Sequence, residues 1–165
     1  MRVGFGFDAH RLVNDRPLVL GGVRVPFDKG LEGFSDADVL AHALIDAVLG
    51  AAALGDCGSH FPAGDPRFAN AQSIKLLELA VGMIQQDGWE VGNADCTIVA
   101  ERPALAGHLD AMRAIIANAL QIPEAACSVK AKHTEGLGFT GTGEGMAAYA
   151  IATLVARERA DTKTR

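Results

Sequence analysis

The sequence predicts a single α/β domain of the α+β kind, in which short strands alternate with amphipathic or apolar helices. Three observations carry that expectation. The 165-residue chain suits one domain. Nearly half of its residues, 49%, are apolar, enough for one packed core. Apolar periodicity switches repeatedly between the strand period of two and the helical period of 3.6.

In order, residues 2–8 read as a short strand. Leu18-Val19-Leu20 and Val23-Arg24-Val25 flank Gly21-Gly22, a turn that only glycines enter freely, so they read as a hairpin or bulged pair. Ser35 and Asp36 are N-cap residue types ahead of an apolar helix from Val39 to Leu54. Gly55 to Gly58 ends it, and a polar loop with Pro62, Gly64 and Pro66 follows. A second helix fits Gln72 to Gln86, with Ile74, Leu77, Val81 and Ile84 on one face. Val91 to Ala100 reads as a strand with Gly92-Asn93 as a bulge, Leu105 to Leu120 as a helix, and Ser128 to His133 as a strand. A glycine-rich loop spans Gly136 to Gly145. Met146 to Val155 suits either a helix, by its alanines, or a buried strand, and strand is the reading taken. The domain is expected over residues 1–158, with 159–165 a frayed tail.

Composition excludes several classes of function. Fifteen Lys and Arg against twenty Asp and Glu give a net charge of −5, and the basic residues form no run, which argues against a nucleic-acid surface. Cys57, Cys96 and Cys127 cannot all pair within the chain and match no zinc-finger spacing, so reduced thiols are expected. No stretch approaches the roughly 20 apolar residues of a membrane span, and residues 1–5 lack a signal-peptide pattern. A cytoplasmic protein without membrane or nucleic-acid partners is the expectation.

Two features carry chemistry. Asp8-Ala9-His10 places a carboxylate and an imidazole on the same face of a strand. His42 supplies a third metal ligand if its helix packs over the strand's end, and three such ligands leave a fourth position open for substrate. Asp46, one helical turn on, is placed to hold the second imidazole nitrogen. An Asp-x-His pair also arises by chance, and a helical histidine is often plain polar surface. The second feature is Lys132-His133-Thr134-Glu135 leading into the glycine-rich loop. Such loops form anion-binding nests or merely flexible surface. Glu135 offers a hard oxygen suited to magnesium. No Walker sequence and no dinucleotide fingerprint is present.

These pieces in this order resemble the 2-C-methyl-D-erythritol 2,4-cyclodiphosphate synthase family of the non-mevalonate isoprenoid pathway. The matching runs include Gly6-Phe7-Asp8-Ala9-His10, Leu20-Gly21-Gly22-Val23, Ser35-Asp36-Ala37-Asp38-Val39 and His42-Ala43. Ala53-Leu54-Gly55-Asp56-Cys57-Gly58, Phe61-Pro62, Asp65-Pro66, Leu137-Gly138-Phe139-Thr140-Gly141 and Gly143-Glu144-Gly145 complete them. The resemblance spans residues 2–157 and implies a mixed, mostly antiparallel four-stranded sheet packed on helices, assembling as a homotrimer with sites between subunits. It implies a lyase that converts 4-diphosphocytidyl-2-C-methyl-D-erythritol 2-phosphate into the cyclic diphosphate and CMP.

By the same resemblance, Asp8, His10 and His42 hold Zn2+ or another divalent transition metal. Glu135 helps hold Mg2+ or Mn2+ on the substrate diphosphate. Phe34, Ser35, Asp56, Cys57 and Gly58 line the phosphate and methylerythritol pocket, with Phe61, Asp65 and Phe139 nearby. Ala100, Ala104, Leu105 and Ala106 form the cytidine pocket with Ala131, Lys132, His133, Thr134 and Glu135. The chain departs from the family at four informative places. Phe34 stands where a charge-stabilising histidine is usual, and His133 replaces a threonine, so His133 either partly compensates for Phe34 or simply packs on the cytosine or faces solvent. Thr142 replaces an arginine facing the trimer cavity, which predicts weak binding of isoprenoid diphosphates there. Ala63 removes a pocket carboxylate. These departures keep open an alternative, a weakly active or non-enzymatic ligand-binding trimer. A zinc hydrolase would need a water-activating base that the sequence does not supply.

Overall fold

The computed structural model describes residues 1–157. The expected tail, 159–165, lies outside the described residues. Five strands form the main sheet in the order β4-β1-β7-β5-β6. They are β1 (Arg2–Asn14), β4 (Lys29–Leu31), β5 (Trp89–Val99), β6 (Cys127–Lys132) and β7 (Gly145–Ala156). A separate hairpin pairs β2 (Leu18–Leu20) with β3 (Val23–Val25). The helices are α1 (Val39–Ala52), α2 (Cys57–His60), α3 (Ser73–Gln86), α4 (Leu109–Leu120) and α5 (Gly138–Gly141). All contacts in the sheet are antiparallel except β5 with β6. The sheet is therefore mixed and mostly antiparallel as expected, with five strands rather than four. The additional strand, β4, is three residues long and shows no alternation to read.

Other boundaries moved for physical reasons. β1 runs on to Asn14 because β7 pairs with it as far as Arg11 and β4 pairs with Leu12 to Asn14. The expected bulge at Gly92-Asn93 is present, where the register against β7 shifts between Val91 and Asn93. Residues 145–156 form a central strand, β7, hydrogen-bonded on both sides. Ser35 and Asp36 do not cap α1. Its N-cap is Asp38, fully buried, whose carboxylate accepts from Leu40 and Ala41 N–H and from Gly21 and Gly22 N–H. One carboxylate thus satisfies the helix start and fastens the β2–β3 turn to it.

α1 is apolar almost all round because it is buried between the sheet and α3. Its remaining positions, His42, Asp46 and Gly50, recur every four residues and form one stripe. The approach of α1 to β1 is unusually close. A Cβ on Gly4 would stand 1.9 Å from Ala47 O, and one on Gly6 would stand 1.8 Å from Ala43 O. Two strand residues rise about 6.6 Å and four helical residues about 6.0 Å, so the two elements keep step. One more step from Gly6 and Ala43 brings Asp8 level with the first turns of α1, where His42 lies. The glycines therefore set the distance between ligands contributed by two different elements.

Candidate metal centre and substrate site

Asp8, His10 and His42 meet. Asp8 Oδ2 lies 2.9 Å from His10 Nε2 and 2.9 Å from His42 Nδ1, and the two nitrogens are 3.2 Å apart. Tetrahedral zinc with bonds of about 2.0–2.1 Å separates neighbouring donors by roughly 3.3 Å, so this spacing fits one small cation. The outer nitrogens assign the tautomers. His10 Nδ1–H donates to Glu32 O at 2.7 Å, which leaves a lone pair on Nε2. His42 Nε2–H donates to Ser73 Oγ at 2.8 Å, and the Ser73 hydroxyl donates in turn to Asp36 Oδ1. The lone pair on His42 Nδ1 then faces that on His10. Two lone pairs and a carboxylate aimed at one point suit a divalent cation.

The expected partner of His42 is corrected here. Asp46 does not reach its outer nitrogen; Asp46 Oδ1 accepts from Cys57 N–H at 2.7 Å and so pins the end of the following loop. Ser73 and Asp36, 31 and 6 residues from His42, do the holding instead, with Ser35 Oγ 3.2 Å away. Asp36 is anchored by the Ser73 N–H at 3.1 Å. The sequence shows no local sign of this relay, because its members come together only when α3 packs beside α1.

The electrostatics match a cation site. Burial would raise the Asp8 carboxyl, but hydrogen bonds and charge from His10 and His42 win and hold it well below the usual carboxylate range. His10 is raised: burial and the Arg16 charge oppose protonation, and Asp8 outweighs them. Cys57 lines the same cavity, and burial, with Asp46, Asp8 and Asp56 adding to it, pushes its thiol up to about 12. It stays protonated at neutral pH and adds no thiolate to the donor set.

The predicted residues fall into two clusters. Asp8, His10, His42, Asp46, Asp56, Cys57 and Gly58 line one cavity of about 380 Å3. Phe34, 39% exposed, and Ser35, buried with its hydroxyl 3.2 Å from His42 Nε2, lie on the loop ahead of α1 and do not line that cavity. Asp56 caps α2 through Ser59 N–H and Oγ. Phe61 is buried edge-on against Phe68, so it supports its loop from within rather than presenting a ring to a ligand. Asp65 is turned onto Arg67, whose hydrogen bonds lower its carboxyl below the ordinary value. Phe139, on α5, shares a hollow with His10, Arg11 and Glu144. Thr142 donates to Glu144 Oε1 at 2.9 Å.

The second cluster sits where β5 and β6 end together. Ala100 N–H donates to Lys132 O at 3.0 Å, which joins the segment 100–106 to the end of β6. Leu105 is buried there, while Ala104, Ala106, Lys132, His133 and Glu135 are exposed. Glu135 adopts a left-handed backbone with φ 53°. Thr134 Oγ1 donates to Leu137 O at 2.7 Å and so folds the loop back. The two clusters do not meet within the chain. Ala131 and Lys132 are level with Asp8 and Ala9 across β5 and β7. Three strand spacings, roughly 14 Å, separate them.

Among the described residues, no helix is long and apolar enough to cross a membrane. A family model described as the YgbB family matches residues 1–155. A curated relative from Trichlorobacter lovleyi, named 2-C-methyl-D-erythritol 2,4-cyclodiphosphate synthase, is 56% identical over 155 residues, covering 94% of this chain and 99% of its own. The bifunctional IspDF of Campylobacter jejuni is similar in structure, with a TM-score of 0.91 and 43% identity. That match covers 95% of this chain and 42% of the longer one. A solved 2C-methyl-D-erythritol-2,4-cyclodiphosphate synthase in a CDP-bound form superposes with a TM-score of 0.86 at 33% identity, covering 93% of this chain and 100% of that one. With a family model spanning nearly its whole length and a relative sharing over half its residues, the chain belongs to the YgbB family.

Proposed function

We propose that this chain is a phosphorus–oxygen lyase that converts 4-diphosphocytidyl-2-C-methyl-D-erythritol 2-phosphate into 2-C-methyl-D-erythritol 2,4-cyclodiphosphate and CMP. The observation that carries the reading is the convergence of Asp8, His10 and His42, in a chain whose curated relatives bear that enzyme's name. An oxygen of the substrate's 2-phosphate attacks the β-phosphorus. The bond from that phosphorus to the bridging oxygen breaks, and CMP departs with the electron pair. The nucleophile belongs to the substrate, so the protein positions groups and neutralises charge.

Asp8, His10 and His42 hold zinc or another divalent transition metal, and Glu135 helps hold magnesium or manganese. Such cations, when bound, neutralise the diphosphate oxygens and polarise the phosphorus under attack. Ser73, Asp36 and Glu32 O keep both imidazoles in the ligating tautomer. Ser35, Asp56 and Gly58 bound the pocket for the methylerythritol phosphate. Ala100 to Ala106 and Ala131 to Glu135 receive the cytidine from a neighbouring subunit, since roughly 14 Å of sheet separates them from the metal ligands of their own chain. His133, exposed beside Glu135, supplies a donor to phosphate in place of the residue lost at Phe34.

A homotrimer suits the bare face of the sheet. Val3, Phe5, Phe7, Tyr149 and Ile151 are between 42% and 63% exposed and lie side by side on β1 and β7. A contiguous apolar patch of this kind marks an interface. The test is to incubate the protein with the diphosphocytidyl substrate and divalent metals and identify products by 31P NMR. CMP with the cyclic diphosphate is expected. CMP with a linear product would indicate a hydrolase, and no turnover a ligand-binding trimer; either result defeats the proposal.

A further inference from the structure

We infer that Arg16 is a positioning residue for the metal centre, clamping the Glu32 to Ser35 loop that holds His10 by its outer nitrogen and backs the Ser73 relay behind His42. The inference rests on the reading of Asp8, His10 and His42 as a metal site. Arg16 lies beyond the end of β1 and touches none of the three. Its Nη1 donates to Gly33 O at 2.9 Å and its Nη2 to Ser35 O at 2.7 Å. The two carbonyls belong to alternate residues of one loop, and the planar guanidinium fork spans both at once.

That loop is what stands behind the metal ligands. Glu32 O receives His10 Nδ1–H at 2.7 Å. Ser35 Oγ lies 3.2 Å from His42 Nε2 and 3.2 Å from Ser73 Oγ, so it buttresses the relay that holds the other imidazole. Between them Gly33 lies against the His10 ring: a Cβ there would stand 3.4 Å from His10 Cε1 and 2.8 Å from the Ala37 Cβ. A shift of the loop would therefore move both rings together.

Apart from the charge by which it opposes protonation of His10, the arginine has no other visible task among the described residues. No carboxylate pairs with it among the described residues, and its Nε is buried without a hydrogen-bond partner among them. It is not one half of an ion pair on the surface. Its hydrogen bonds to the described residues are the two to the loop. Lysine, a point charge with a flexible stem, serves one carbonyl well but not both in fixed geometry.

The test is zinc affinity, measured by competition with a chromophoric chelator, in wild type, Arg16→Met, Arg16→Lys and Arg113→Met. Arg113 is a control: it too is half-buried with an unpartnered Nε, but it pairs with Asp110 and Glu124. Loss of support behind ligating histidines weakens metal binding about 10- to 100-fold, which is the expectation for Arg16→Met. Arg16→Lys should lose several-fold and Arg113→Met nothing, whatever each does to thermal stability. In the metal-free protein at alkaline pH, imidazole 15N spectra should show His10 as the Nδ1–H tautomer in wild type and a tautomer mixture in Arg16→Met. Zinc affinity of Arg16→Met within twofold of wild type overturns the inference, as does an equal loss in Arg113→Met. If Arg16→Met does not fold, Arg16→Lys decides, and unchanged affinity there overturns it. Failure of the wild type to bind zinc would sink the metal reading itself, a separate outcome.

Discussion

The two clusters of predicted site residues are built differently. Around Asp8, His10 and His42, every outer imidazole nitrogen has a partner, and those partners are themselves held, Ser73 by Asp36 and the Glu32 loop by Arg16. At the ends of β5 and β6, His133, Glu135 and Lys132 stand exposed, and few hydrogen bonds restrain their side chains. The first cluster is preorganised by one chain. On the proposed reading, the second is one wall of a nucleoside pocket that a neighbouring subunit completes, whereas the metal ligands all come from one chain. The largest expected effects follow from separating the two clusters.

Ile151→Lys places a charge in the apolar face of β7, beside Asp95 in register and away from the metal ligands. The expectation is a monomer by sedimentation that still binds one zinc per chain, with turnover reduced at least about a thousandfold because no neighbouring wall forms. A monomer that turns over normally would remove the distinction between the clusters. Asp8→Asn makes the opposite cut. The trimer should persist while zinc binding and turnover are both lost, because one anionic ligand disappears and an amide faces two lone pairs.

Gly6→Ala tests the spacing that brings β1 to α1. Its Cβ would meet Ala43 O at 1.8 Å, so the helix must move away. Destabilisation of about 3 kcal/mol in urea titration is expected, together with weakened zinc binding. Unchanged stability would show that the contact relaxes without moving His42.

Much of this was legible in the sequence, and the misses share a cause. Glycine placement revealed the bulge in β5 and the Gly21-Gly22 turn, whereas the alanines of β7 suited helix and strand alike, and the family resemblance decided for strand. Local spacing also paired Asp8 with His10. His42 joined them through the family resemblance, since spacing alone did not bring it to Asp8. What spacing could not reveal was any partnership across packed elements. Asp46 was the natural partner of His42 by helical periodicity, yet its carboxylate is taken by Cys57 N–H. Ser35 and Asp36 have capping chemistry but spend it on Ser73 and the β4–α1 loop, while Asp38 caps the helix. Ala37, with φ 56°, turns the chain between them, a break that residue types do not announce.

Ser73→Ala sharpens the comparison within the metal cluster. His42 Nε2–H would lose its nearer acceptor, leaving Ser35 Oγ at 3.2 Å, and zinc affinity should fall about 10-fold by chelator competition with the fold retained. Asp46→Asn, by contrast, should change zinc affinity by less than about twofold, because an amide oxygen still accepts from Cys57 N–H. Equal losses in both variants would return Asp46 to the role of support for His42. In the second cluster, His133→Ala should leave zinc affinity untouched and lower turnover several-fold. An unchanged rate ends the case for compensation of Phe34.

The smallest effect concerns the proton that competes with metal. In the metal-free protein His10 is raised above its ordinary value by Asp8, against the opposition of burial. A raised folded value means that the His10–Asp8 pair stabilises the metal-free fold fully below about pH 6.5, the unfolded value. That contribution is lost as pH rises through the raised one. Metal-free protein should therefore melt slightly lower as pH climbs through this window. Zinc affinity should move the other way, rising with pH as the proton on Nε2 becomes easier to displace. His10→Gln, which keeps an amide beside Asp8 but has no imidazole proton to lose, should flatten the melting trend. If the trend persists in that variant, the titrating group lies outside the Asp8 pair, and the proton does not occupy the metal's place.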